Sequence, residues 1–169
     1  MKNTNEIEIY LVDNDPLFLI EFFDNFTYDH KYKLTTESSV QNFLSKLRNQ
    51  KNDNYTIVII NDMIISHGLN TKSVVDILPM IKNIDKEISV IVLTDSDNRE
   101  LKMSSSDLRP DAFIKKDKML YFKLIPTINR IISQYVLKKS KRTLRIVIAI
   151  SAIIMIITII HFVTASIIS

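Results

Sequence analysis

A chain of 169 residues holds about one domain and an appendage, and with no cysteine and a single glycine, Gly68, it excludes disulfides, thiol chemistry and the glycine-rich turns that bring backbone close to phosphate in dinucleotide sites and P-loops. Its formal charge of +3 is concentrated in Lys138, Lys139, Lys141, Arg142 and Arg145; with these five set aside, 17 basic residues face 19 acidic ones, about −2 over residues 1–137, which excludes a nucleic-acid-binding face as the origin of the basic balance. Three histidines, at 30, 67 and 161, form neither a hydrolase triad signature nor a Cys/His metal cluster.

In chain order, the first apolar run is IEIYLV (7–12). PLFLIEFFDNF follows, where Leu17, Ile20 and Phe23, and also Leu19, Phe22 and Phe26, recur at helical spacing. The second run, YKLTT (32–36), precedes VQNFLSKLRN, with Val40, Phe43, Leu44 and Leu47 on one helical face. The third, TIVII (56–60), leads through the irregular loop SHGLNTKS to VVDILPMIKNI, a helix that Pro79 should kink or interrupt. The fourth, ISVIVL (88–93), precedes a polar, weakly helical stretch at roughly 98–107. The fifth, DAFI (111–114), precedes a helix that begins near Asp117 and includes LIPTINRIISQYV, where Pro126 argues for a late start or a bend. The runs are β-branched and do not alternate with polar residues, the pattern of strands buried on both faces. Strands alternating with helices predict an α/β fold, a doubly wound, five-stranded parallel sheet with ligands at the carboxyl ends of its strands.

The last helix runs on without a breaker into residues 146–169, IVIAISAIIMIITIIHFVTASIIS, which contain no Asp, Glu, Lys or Arg. About 20 such residues cross a bilayer. The expected organisation is therefore a domain over 1–137, a basic juxtamembrane segment over 138–145 that attracts anionic lipid, and one C-terminal transmembrane helix over 146–169. The cationic flank places the N-terminal domain in the cytoplasm of a single-pass membrane protein. His161 reads as a neutral histidine near the far interface. MKNTNEIEIY lacks the apolar region of a signal peptide, which leaves the span as the only targeting element.

Polar residues gather where the runs end: Asp13, Asn14 and Asp15; Asn61 and Asp62; Thr94 and Asp95; Lys115 and Lys116. Carboxylates, a hydroxyl and a lysine on one sheet edge are the groups needed to hold Mg²⁺, accept a phosphoryl group and neutralise its charge. Each of these sites alone also fits an ordinary solvated loop.

Over about residues 5–135 this combination resembles the receiver domain of bacterial two-component response regulators. YLVDNDP resembles the acidic turn after the first strand. IVLTD resembles the fourth strand with its phosphoryl-sensing hydroxyl on Thr94. DAFIKKD resembles the fifth, with the lysine on Lys116, 22 residues on, and the switch aromatic on Phe113. The resemblance implies a flavodoxin-like fold and a non-enzymatic signalling module. Asp62 would accept the phosphoryl group, Asp13, Asp15 and Asp62 would hold Mg²⁺, and Thr94 and Lys116 would bind the phosphoryl oxygens. The implied partners are a sensor histidine kinase or phosphotransfer protein, together with another membrane protein and membrane lipid at the basic segment; nucleic acid is not among them.

Four departures stand against the pattern. Asn14 takes the place of a second acid, Asp95 that of a small residue, Asp117 that of a proline after the lysine, and Ile65 or Ser66 that of the proline after the acceptor. The acceptor place itself has two readings. Strand length counted from Tyr55 and Thr56 puts Asn61 there, which would leave the domain unable to be phosphorylated. The apolar Met63 and Ile65 that follow favour Asp62. Asp62 is taken as the acceptor, and the alternative is a pseudo-receiver that scaffolds partners at the membrane without phosphorylation.

Overall fold

The structure is a computed structural model that describes residues 7–26, 32–50, 54–65, 71–95 and 109–168, the side chains of 65, 71–72 and 159–168 excepted. The polar stretch at 98–107, the loop residues Ser66, His67 and Gly68, His30 and the side chain of His161 lie outside the described residues.

The elements follow the apolar runs: β1 (Ile7–Val12), α1 (Pro16–Phe26), β2 (Tyr32–Glu37), α2 (Val40–Asn49), β3 (Tyr55–Asn61), β4 (Met63–Ile65), β5 (Thr71–Ser73), α3 (Val74–Ile84), β6 (Ser89–Thr94), β7 (Ala112–Lys115) and α4 (Leu120–Ile168). Five strands form one parallel sheet in the order β2-β1-β3-β6-β7. The order reverses between β1 and β3, so right-handed crossovers send α1 to one face and α2 and α3 to the other. β4 and β5 form a separate antiparallel pair, Met63↔Ser73 to Ile65↔Thr71, where the sequence reading expects only a loop.

Alternation along the strands divides the core in two. Tyr10 and Val12, Val58 and Ile60, and Val90 and Val92 pack with Phe43, Leu44 and Leu47 of α2 and with Ile77, Leu78 and Ile81 of α3. The intervening residues Ile9, Leu11, Ile57, Ile59, Ile91 and Leu93 are all fully buried and belong to the opposite face. Burying both faces explains why the runs carry no polar alternation.

Neither proline breaks its helix. Pro79 lies inside α3 and Pro126 inside α4. Each removes one bond to a carbonyl four residues back, at Val75 and Phe122, and both of those residues are exposed, so water can take the freed carbonyl. The chain divides into two compact units, Met1–Ile125 and Pro126–Ser169.

The C-terminal expectation is corrected. Among the described residues no helix is long and apolar enough to cross a membrane, which overturns the transmembrane helix over 146–169 and with it the single-pass membrane location with a cytoplasmic domain. The physical reason lies in how α4 is composed. It is one helix of 49 residues in which Lys138, Lys139, Lys141, Arg142 and Arg145 occupy the middle, so it is not apolar along its length.

Candidate functional site

Each strand tip is pinned one residue beyond its strand. Asp13 N donates to the Glu37 carbonyl at 3.1 Å, Asp62 N to that of Leu93 at 2.8 Å, and Lys116 N to that of Thr94 at 2.9 Å. The polar side chains are thus carried on extensions of the sheet, and the pleat decides which face each one serves.

On the α1 face, Lys116 Nζ donates to Asp13 Oδ2 at 2.6 Å. Asp13 is 1 % exposed and the Lys116 side chain 15 %. The second carboxylate oxygen, Oδ1, accepts from the Asp15 backbone N–H at 3.0 Å. Lys116 Nζ also lies 3.9 Å from the centroid of the Phe18 ring, a cation–π contact that shields its charge. Phe18 comes from the first turn of α1, a role the sequence reading missed; its signal is the PLF triplet directly after the acidic turn.

The register brings Asn61 to the same face. Val12 pairs with Ile60, so the next step places Asn61 opposite Asp13. Asn61 Oδ1 is buried and has no hydrogen-bond partner.

On the other face, Thr94 Oγ1 donates to Asp62 Oδ2 at 2.7 Å, and both residues are buried. The backbone carbonyl of Asp62 accepts from Val74 N at 3.0 Å, tying the tip to the start of α3. Phe113 packs, partly buried, against the core of this same face. The structure therefore bonds Asp62 to Thr94 and Asp13 to Lys116, and the pleat directs the two pairs toward opposite faces of the sheet. Asp95 is exposed to solvent beyond the second pair.

The remaining acids have local duties. Asp15 Oδ1 accepts from Leu17 N at 3.0 Å and Phe18 N at 3.3 Å, which caps α1. Asn14 Nδ2 donates to the Ser38 carbonyl at 3.0 Å, linking the β1 and β2 ends. Asp117 accepts from Met119 N at 2.9 Å in the turn that leads into α4 and pairs with Lys123 at 2.8 Å. The Lys123 bond first, and the Met119 amide second, hold the Asp117 carboxyl below its usual range.

These bonds bear on the Mg²⁺ expected at Asp13, Asp15 and Asp62. Among the described residues no group of three or more His, Cys, Asp or Glu is placed to hold a metal ion. Asp15 is turned to the helix end, Asp62 to Thr94, and Asp13 carries an ammonium. A hard divalent cation requires several oxygen ligands converging on one point, and this donor set does not fit it.

No family model matches the chain, and no curated protein matches it. Solved structures do. A response regulator receiver domain from Clostridium thermocellum is similar at 22% identity and a TM-score of 0.59, over 78% of this chain and 98% of its own. A response regulator receiver protein from Sinorhizobium medicae is similar at 16% identity and a TM-score of 0.58, over 76% and 95%. An adenylate cyclase from Rhodopirellula baltica is similar at 20% identity and a TM-score of 0.67, over 83% and 97%. At these identities the likeness is one of fold, and the fold is that of receiver domains.

Proposed function

We propose that this chain is a signal-transduction domain of the two-component type that works through protein contacts, with its strand edge held in one bonded state instead of being switched by an aspartyl phosphate. Receiver domains act in two-component signalling, meet histidine kinases or phosphotransfer proteins, and typically bind Mg²⁺ in an acidic pocket. The single observation that carries the departure from that scheme is the pairing at the edge, Lys116 with Asp13 at 2.6 Å and Thr94 with Asp62 at 2.7 Å. The register that pairs Val12 with Ile60 carries the neutral Asn61 opposite Asp13.

Contact is supported by the surface of α1. Leu17, Ile20 and Phe23 are 78 %, 60 % and 45 % exposed at successive helical turns. Tyr121, at the start of α4, packs on Phe22 with ring centroids 5.6 Å apart, and its neighbour Phe122 is 76 % exposed. A ridge of apolar side chains left in water on a small domain fits a helical protein partner. No output chemistry is assigned to the domain, which we read as non-enzymatic.

A second reading rests on the Asp62–Thr94 bond itself, which supports Asp62 as the phosphoryl acceptor with Thr94 as the hydroxyl that senses it. In that reading Lys116 must leave Asp13 to serve the other face. The two are separated by amide NMR of the full chain titrated with Mg²⁺ and beryllofluoride, a phosphoryl mimic. We expect Asn61, Asp62, Thr94 and Lys116 to keep their shifts. Localised shifts at Asp62 and Thr94 that Asp62→Asn removes would establish the second reading.

A further inference from the structure

We propose that Lys116 is a built-in substitute for a divalent cation, its ammonium neutralising Asp13 and thereby closing the edge to metal. The inference rests on the reading of the edge as two bonded pairs, but it concerns the Asp13 pair alone and is tested by metal instead of by a phosphoryl mimic.

Three observations converge on it. First, both Asp13 oxygens are occupied, Oδ2 by Lys116 Nζ at 2.6 Å and Oδ1 by the Asp15 amide at 3.0 Å. Second, the Asp13–Lys116 pair with its neighbour Asn61 is neutral without an ion. Asp13 contributes one negative charge, Lys116 one positive charge and Asn61 none. An incoming Mg²⁺ would meet a single carboxylate already shared with an ammonium, in a buried place where like charges oppose each other strongly. Third, Lys116 is held there by more than its carboxylate. The Phe18 ring lies 3.9 Å beneath its ammonium, and its backbone N–H is fixed to Thr94. Asn61 completes the arrangement by offering a neutral oxygen, unpartnered and buried, where a carboxylate would add a second negative charge and restore a demand for a cation.

Removing the ammonium, or adding a carboxylate, should each open the edge to a divalent ion. The experiment uses Mn²⁺ as the probe and reads its paramagnetic broadening of amide signals in the full chain. Wild type should show no broadening at Asp13 beyond that at surface acids. Lys116→Met, which keeps the apolar stem over Phe18, should show broadening centred on Asp13 and Asn61, with binding about tenfold tighter or more. Should Lys116→Met fail to fold, Asn61→Asp, which keeps the lysine and adds the second carboxylate, should show the same gain. Broadening centred on Asp13 in wild type that Asp13→Asn removes would overturn the proposal. So would a folded Lys116→Met, or in its place a folded Asn61→Asp, that gains no Mn²⁺ site. A beryllofluoride response at Asp62 would leave this proposal standing while refuting the closed Thr94–Asp62 pair.

Discussion

One peptide unit separates Asn61 from Asp62, and the pleat sends their side chains to opposite faces of the sheet. That step decides which residue meets Asp13 and which meets Thr94. It was not legible in the sequence, because a shift of one residue exchanges every side chain between the faces of a strand, and a run buried on both faces has no polar alternation to fix the phase. The pairs of the edge were only half legible. Thr94, Lys116, Asp13 and Asp62 were each singled out, but not that they divide into two pairs. The bonds make three energetic predictions. Thr94→Val removes a hydroxyl donor from the buried Asp62 carboxylate and should cost about 1–3 kcal/mol, read from the urea midpoint; an unchanged midpoint would show that the bond contributes nothing. Lys116→Met leaves Asp13 buried without its counter-charge and should cost about 3 kcal/mol, whereas Asp15→Ala, which removes only the α1 cap, should cost about 1 kcal/mol.

At the scale of elements, the strands and helices were legible because their signals are physical necessities of a two-sided sheet, namely β-branched runs for the centre and apolar stripes such as Phe43, Leu44 and Leu47 for the covering helices. The β4–β5 pair was not, since Met63–Ile65 and Thr71–Ser73 are each only 3 residues long and carry no turn signature that separates them from a loop. The start of α4 offers a test by pH. The Asp117 carboxyl is lowered from its usual value of 3.8, chiefly by Lys123. Its stabilising contribution is therefore complete above that value and is lost as pH falls through the lowered one. An NMR titration should find Asp117 titrating below its usual range and moving up toward it in Lys123→Met; an unmoved midpoint would remove Lys123 as the cause. On α1, Ile20→Asp touches a side chain 60 % exposed and should leave stability within about 0.5 kcal/mol. It should nevertheless weaken binding to a histidine phosphotransfer partner, measured by calorimetry, and an unaffected affinity would move the contact surface elsewhere.

For the whole molecule, the fold follows from the order of the strands, β2-β1-β3-β6-β7, which gathers the ends of β1, β3, β6 and β7, and with them Asp13, Asn61, Asp62, Thr94 and Lys116, on one edge. The C-terminal segment shows the opposite case, where composition pointed to a membrane span and the described helix did not supply one. The proposed edge is held in two bonded pairs and has no working phosphoryl acceptor. Intact-mass spectrometry of the full chain after treatment with a small phosphodonor and Mg²⁺ tests this most directly. The account predicts an unmodified wild type, with an adduct of one phosphoryl group appearing in Asn61→Asp. A wild type that gains one phosphoryl group, and loses it in Asp62→Asn, would contradict it and make Asp62 the working acceptor.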